Sequence, residues 1–338
     1  MNIKNKFNEE VLTYYNKQSS YLREKPKSIE PIDEYLELQN QCKRPVDWDN
    51  GCNFNMDQHE YVATLNNASV GTEGAIFDDE NVYVLNNSYP SSTNTNGLQL
   101  YDEMVTIVQK WGYGYYHWLG ECFPRLLQFL EDTGKRNVYV LTWDTPFVRQ
   151  YLNMIGIKDS QIVPFKNGIQ YKVKKLYVPT PIYCGNPHKD MLNRLNKWFN
   201  QFYKPEMSKV NILISREGQA KRQLKDFNLL FDRLKNEFPE NEWIIFDSMP
   251  IMETIELFSR ANMVVGVNGA GLTNVVFTPS DCKIIDICPV GDCTINMCDW
   301  HMISSIERPY RMVPVKFGNP SPVVSVDFDK IVKTVKDF

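Results

Sequence analysis

Three groups of residues in this chain have the types and spacing to do chemistry. The first lies in residues 261–279, ANMVVGVNGAGLTNVVFTP. Met263, Val264, Val265 and Val267 form an apolar run of the length of a buried strand, with Gly266, Gly269, Ala270 and Gly271 directly after, and residues 272–277 read as the start of a helix. A strand that ends in small residues and opens into a helix presents unpaired N–H groups and the positive end of a helix dipole, which together suit a phosphate. Glycine lets the anion approach the backbone without meeting a Cβ. Asn268, Gly269, Ala270, Gly271, Leu272, Thr273 and Asn274 are therefore expected to cradle a diphosphate, although the same residues also suit an ordinary strand-to-helix turn. The second group is Ile214-Ser215-Arg216 with Lys221-Arg222. Guanidinium forks at the end of a short apolar run can grip a diphosphate bidentately and offset the charge on a departing one. A solvated basic loop is the alternative.

The third is Tyr115-Tyr116-His117-Trp118-Leu119-Gly120-Glu121. On a helix His117 and Glu121 share a face, so the carboxylate can orient the imidazole or raise its pKa, and one of the two can take a proton from an attacking hydroxyl. The residues do not say which, and a packed histidine beside a hydrogen-bonded glutamate has the same spacing. Asp47-Trp48-Asp49 has the D-x-D form of a metal-diphosphate motif, but Lys43-Arg44-Pro45 precedes it and Asn50-Gly51 follows, so it reads as a turn. Positive side chains, with no metal, are expected to neutralise the leaving group. Neither Gly112-Tyr113-Gly114 nor the glycines from 266 to 271 complete G-x-G-x-x-G, which argues against hydride transfer and against any nicotinamide cofactor. Cys282, Cys288, Cys293 and Cys298 contain no C-x-x-C pair, so no zinc site is expected there.

The elements that must position these groups follow an alternating pattern. Residues 8–23 carry charges and aromatics at helical spacing, and 29–38 read as a second short helix. Residues 60–65, 74–77 and 81–85 read as strands and 88–97 as a loop. From 115 the pattern is helical to about 134, with Pro124 expected to kink it or split it in two. Strands at 137–141 and 174–178 alternate with helices at 146–155 and 187–202, as a parallel sheet with crossover helices requires. A second series starts after 203–208: strands at 211–214, 243–246, 283–287 and 312–315, with helices at 227–237, at 250–260 behind a Ser248 cap, and at 328–338. The expected organisation is α/β: an N-terminal α/β domain over 1–205 with a poorly determined extension over 1–58, a Rossmann-like domain over 206–318, and a C-terminal tail and helix over 319–338.

The 338 residues suffice for two cores, and a net charge of −4 leaves no global field to recruit nucleic acid, so any anion site must be local. The sequence holds no run of about 18 apolar residues for a membrane span and no signal-peptide core at its start, so a cytoplasmic protein with reduced thiols is expected. Asn67-Ala68-Ser69 and Asn86-Asn87-Ser88 match the glycosylation sequon, a pattern common by chance in an Asn-rich chain.

With those motifs placed, the chain resembles glycosyltransferase family 61, the DUF563 group. The resemblance runs through residues 115–121, Pro124-Arg125-Leu126, Ile214-Ser215-Arg216 with Arg222, Leu257-Phe258-Ser259-Arg260-Ala261, and Gly266 to Asn274 with Phe277. It implies a GT-B-like architecture of two Rossmann-like domains facing across a cleft. It further implies an inverting, metal-independent transfer from a nucleotide-sugar, with UDP as the nucleotide, to a glycan or glycoprotein hydroxyl. Donor binding would fall to Arg216, Arg222 and the glycine turn, with Ser215 and Asp286 toward the nucleoside, and His117 and Glu121 would face the reacting sugar. The family pattern has His where this chain has Asn268, Asn-Glu where it has Lys225-Asp226, and Glu where it has Asp286. A binding protein that retains the cleft but has weakened catalysis is the alternative. A nucleotide-sugar epimerase would need the nicotinamide argued against above.

Overall fold

A computed structural model describes residues 1–19, 58–85, 93–202, 208–290, 298–316 and 323–338. Asp47-Trp48-Asp49, the helix expected over 29–38, Cys293 and the sequon at Asn86 lie outside them. The described residues form two compact units, one ending at Leu195 and the other beginning at Asn196. Both mix helices and sheet, so the chain is α/β. No helix among the described residues is long and apolar enough to cross a membrane.

The first unit contains β1 (Asn2–Lys4), β2 (Leu12–Ser19), β3 (Gln58–Val70), β4 (Ile76–Phe77), β5 (Asn81–Tyr83) and β6 (Gly97–Thr106). After β6 come the short helix α1 (Tyr115–His117), a π turn (Trp118–Cys122) and α2 (Phe123–Thr133). Then follow β7 (Tyr139–Thr142), α3 (Pro146–Met154), β8 (Ile162–Pro164), β9 (Ile169–Pro179) and α4 (Lys189–Phe199). The sheet order is β1-β5-β4-β3-β9-β6-β7-β8, with β2 also paired to β3. It is mixed, where a uniformly parallel layer was expected. β6, β7 and β8 are parallel because each is joined to the next through a helix, but β3 is antiparallel to β2, β4 and β9. Residues 12–19, expected to be helical, form β2, because the long β3 offers them an edge to pair with. The loop expected over 88–97 reaches only Gly97 of β6; residues 98–106, for which no element was expected, form the rest of the strand, and only its last three residues are buried.

Pro124 is accommodated at the start of α2 and directly after the π turn, in which the Phe123 N–H donates to the Trp118 carbonyl five residues back. Widening the helix there removes the demand for an N–H that proline lacks. The next residue, Arg125, is fully buried. Its Nε and Nη2 donate to the Pro179 carbonyl at 3.3 and 3.1 Å, and Nη2 also reaches the Thr106 carbonyl at 3.5 Å. One guanidinium thus ties the helix to the carboxyl ends of β9 and β6.

The second unit contains β10 (Val210–Ile214), β11 (Gln223–Leu224), α5 (Phe227–Glu237), β12 (Trp243–Phe246), α6 (Ile251–Ser259) and β13 (Ala261–Val267). A 3-10 helix (Ala270–Phe277), β14 (Lys283–Val290), α7 (Cys298–Ser305), β15 (Tyr310–Lys316), β16 (Val323–Val324) and α8 (Phe328–Lys336) complete it. Its main sheet is parallel throughout, in the order β12-β10-β13-β14-β15. Leu213, Val265, Ile285, Ile287 and Val313 pack beneath α5 and α8, which is why these strands read as continuous apolar runs. From β10 the chain moves outward to β12 and then returns to β13 on the opposite side. The strand order therefore reverses between β10 and β13, which is where open parallel sheets bind ligands. Ser248 does not cap α6; Pro250 holds that position without a side-chain cap, and the Ser248 N–H is taken by Asp247.

Replacing Arg125 by Met would leave the Pro179 and Thr106 carbonyls without their charged donor. Urea unfolding of Arg125→Met is expected to show a loss of about 2–3 kcal/mol; an unchanged midpoint would mean the guanidinium does not brace the helix.

Candidate functional site

The reversal between β10 and β13 is where the sequence motifs of the second unit converge. Ile214 pairs with Gly266 in the last rung, so Ser215-Arg216 and Asn268-Gly269 leave neighbouring strands side by side. Gly269 has φ +151°, and a Cβ built on it would sit 2.2 Å from Arg216 Nη1. The Arg216 guanidinium therefore lies against the glycine backbone, a placement that no side chain at 269 allows. Arg222, itself at φ +61° just before β11, donates from Nη1 to Asn268 Oδ1 at 3.0 Å. Asn268 Nδ2 in turn donates to Asp286 Oδ2 at 3.1 Å, and Tyr310 donates to the same oxygen at 2.9 Å.

The Gly269 N–H, expected to meet a phosphate, donates instead to Asp299 Oδ2 at 2.7 Å. The turn then enters a 3-10 helix, with the Leu272 N–H closing on the Gly269 carbonyl at 2.9 Å. Asn274 caps inward onto the Gly271 carbonyl at 3.0 Å, Ala270 is exposed, and Leu272 and Thr273 are buried. Ser215 spends its hydroxyl on the Glu217 N–H. Among the described residues Arg216 Nε, Asp286 Oδ1 and Thr273 Oγ1 are buried without a hydrogen-bond partner. Arg216, Asp286 and Thr273 thus keep hydrogen-bonding capacity that the protein does not itself use.

Charge is concentrated here. Burial first, and then the Arg222 charge, depress the Arg216 guanidinium below its ordinary range. Burial pushes the Asp286 carboxyl up to about 6, against the hydrogen bonds from Asn268 and Tyr310. Burial together with the Asp286 charge pushes Asp299 up to about 8, against the Gly269 N–H and the two arginines. The two carboxyls titrate as a pair, and the direction is upward for both, because two anions share one buried site.

In the first unit His117 Nδ1 lies 3.0 Å from Glu121 Oε1. Glu121 is completely buried, and its Oε1 also accepts the Gly185 N–H at 2.7 Å while Oε2 accepts from Gln109 Nε2. His117 keeps 22% of its side chain exposed. Cys184 Sγ stands 3.8 Å from His117 Nδ1. Burial works to lower the His117 pKa, but the bonds to Cys184 and Glu121 outweigh it and hold the imidazole up, to about 10. Burial raises the Glu121 carboxyl while its three donors oppose that shift. Trp111, Tyr113 and Tyr183, near these residues in sequence, are 47%, 51% and 43% exposed.

Gln109, Cys184, Gly185, Asp299 and Tyr310 escaped the sequence reading. Gln109 stands 12 positions before Glu121 and the other four stand 24 or more positions from the residues they meet, and none carries a local motif.

A family model described as Glycosyltransferase 61 matches residues 115–285. The matched stretch begins at α1 and ends within β14. It includes His117, Glu121, Arg216, Arg222 and the glycine turn, and stops short of Asp286 and Asp299. No curated protein is matched by the chain.

Gly269→Ala would force strained backbone and displace Arg216, so a loss of about 1–3 kcal/mol is expected in thermal or urea unfolding; wild-type stability would show that the guanidinium does not lie on the turn. Burial holds the folded pKa of Asp299 above the ordinary carboxylate value of 3.8, at about 8. The folded state therefore binds the extra proton in that window, and stability falls as pH rises from about 4 to about 8, by at most about 1.4 kcal/mol per unit. Asp299→Asn keeps an acceptor for Gly269 and should flatten this fall. Parallel pH profiles for the two proteins would contradict the assignment.

Proposed function

The chain belongs to glycosyltransferase family 61, and on that premise we propose that it moves a sugar from a nucleotide-sugar, UDP-linked, to a hydroxyl of a glycan or glycoprotein acceptor. In this reading the enzyme is of the two-domain GT-B type, inverts the anomeric carbon and needs no metal on the leaving diphosphate. The observation that carries it is the meeting of Arg216, Arg222 and the glycine turn at the point where strand order reverses. Two guanidiniums beside buried, unpartnered polar atoms suit a diphosphate, which would relieve the repulsion between the arginines. Asp286, within the same hydrogen-bonded set, would face the nucleoside; Ser215, whose hydroxyl is already used, would contribute through its position alone.

The roles within His117 and Glu121 follow from their exposure. Both Glu121 oxygens are occupied and the group is buried, so it orients and polarises the ring, and His117 meets substrate through the nitrogen not held by Glu121. In the neutral ring, the minor form at neutral pH because His117 is held up to about 10, that nitrogen takes the proton from the acceptor hydroxyl as its oxygen attacks the anomeric carbon, on the face opposite the diphosphate. The carbon–oxygen bond to the diphosphate breaks, its electron pair goes to the phosphate oxygen, and the arginines meet the charge. Trp111, Tyr113 and Tyr183 offer aromatic faces of the kind on which the apolar side of a sugar ring packs.

The test is release of free nucleotide from a panel of nucleotide-sugars, with and without acceptor. Arg216→Ala is expected to lower turnover by about 10²–10³, and His117→Ala to abolish transfer while leaving nucleotide binding in place. Unchanged turnover in Arg216→Ala would overturn the donor assignment. Thermal stabilisation by UDP without any turnover would instead make the protein a nucleotide-sugar-binding relative with weakened catalysis, a reading favoured by the carboxylate already seated on the Gly269 N–H.

A further inference from the structure

His117, Glu121 and Cys184 form the one group of three or more His, Cys, Asp and Glu side chains among the described residues whose ligand atoms all lie within 4.8 Å of one another. The imidazole nitrogen is 3.0 Å from the carboxylate oxygen and 3.8 Å from the thiol sulfur. A tetrahedral ion with bonds of about 2.0–2.3 Å needs its ligands roughly 3.3–3.8 Å apart, so the three atoms have to move only slightly to share one. From this geometry we infer that His117, Glu121 and Cys184 form a zinc-binding site with a fourth position open to solvent.

The donor set selects the metal. One nitrogen, one sulfur and one carboxylate oxygen suit a borderline-soft ion and disfavour magnesium or calcium, which take oxygen ligands. The supports that orient ligands in metal sites are already in place: Glu121 is held by Gln109 Nε2 and the Gly185 N–H. Cys184 is carried on a tight turn in which Asn186 N–H donates to the Tyr183 carbonyl at 3.0 Å, and Gly185 takes φ +75°. That turn sets the sulfur and the Gly185 N–H toward the same pair of side chains. Partial exposure of His117 and Cys184 leaves a way in for the ion. On binding, the thiol and the ring nitrogen facing Glu121 give up any proton they hold to solvent, and the metal takes their electron pairs.

This site is distinct in kind from a metal on the donor diphosphate. If the role proposed above for His117 holds, zinc would occupy the ring nitrogen that Glu121 orients and draw electron density from the imidazole, so the ion would inhibit transfer. The protein would then be switched off by free zinc and restored by a chelator.

The test is titration of the metal-free full-length protein with zinc chloride by calorimetry, and with cobalt(II) chloride by absorption. One ion per chain is expected, with cobalt giving a thiolate charge-transfer band and the strong visible bands of a tetrahedral site. Cys184→Ser, a near-isosteric change checked by its melting curve, should remove the charge-transfer band and weaken zinc by on the order of 100-fold. Cys298→Ser, outside the trio, should change neither. Absence of stoichiometric zinc, or a cobalt spectrum that survives Cys184→Ser, would overturn the site. Stoichiometric zinc that leaves nucleotide release untouched would uphold the site and overturn the catalytic role of His117; loss of turnover in His117→Ala without zinc binding would do the reverse.

Discussion

Burying like charges beside one another at the reversal of the second sheet is the constraint on which that unit's site depends. Arg216 and Arg222 repel, Asp286 and Asp299 repel, and all four are removed to some degree from water. Such groups persist only when each finds an opposite partner or a donor. Gly269 permits this by having no side chain, so the Arg216 guanidinium can lie on the backbone while the N–H on that residue points to Asp299. The turn thus presents an N–H of the kind an anion would take, and the chain's own Asp299 carboxyl accepts it.

Asn268 explains how the arrangement holds without a histidine at that position. Its amide accepts from Arg222 through Oδ1 and donates to Asp286 through Nδ2, bridging a cation and an anion in a single planar group that needs no charge of its own. Tyr310 completes the coordination of Asp286 from the neighbouring strand β15. A chain with a net charge of −4 therefore builds a local cationic site by placing both arginines within one fold element's reach of the glycine turn.

The first unit solves a different problem. A fully buried glutamate is tolerated because three donors converge on it, from a side chain three residues past the end of β6, a ring one helical turn away and a backbone N–H on a remote loop. The π turn between α1 and α2 lets this pair stand directly ahead of Pro124 and Arg125, so α1 and the π turn carry His117 and Glu121 while α2 anchors to the sheet. The ligand set that would orient a base is also one that could hold a soft metal, since both tasks need lone pairs brought close together and kept from water.

What the sequence alone determined was everything that depends on local pattern. Apolar runs bounded by small residues marked β10, β12, β13 and β14, because strands buried on both faces must be continuously hydrophobic, and helical spacing put His117 and Glu121 on one face. Order along the chain was enough for the α/β class and the family. Tertiary structure alone decided that residues 12–19 are a strand, since β3 supplies the partner, and that the first sheet is mixed. It also decided that Asp299 answers the Gly269 N–H and that Cys184 and Gly185 close around His117 and Glu121. Those contacts join residues 30 or more positions apart, and no local propensity encodes a partner at that distance.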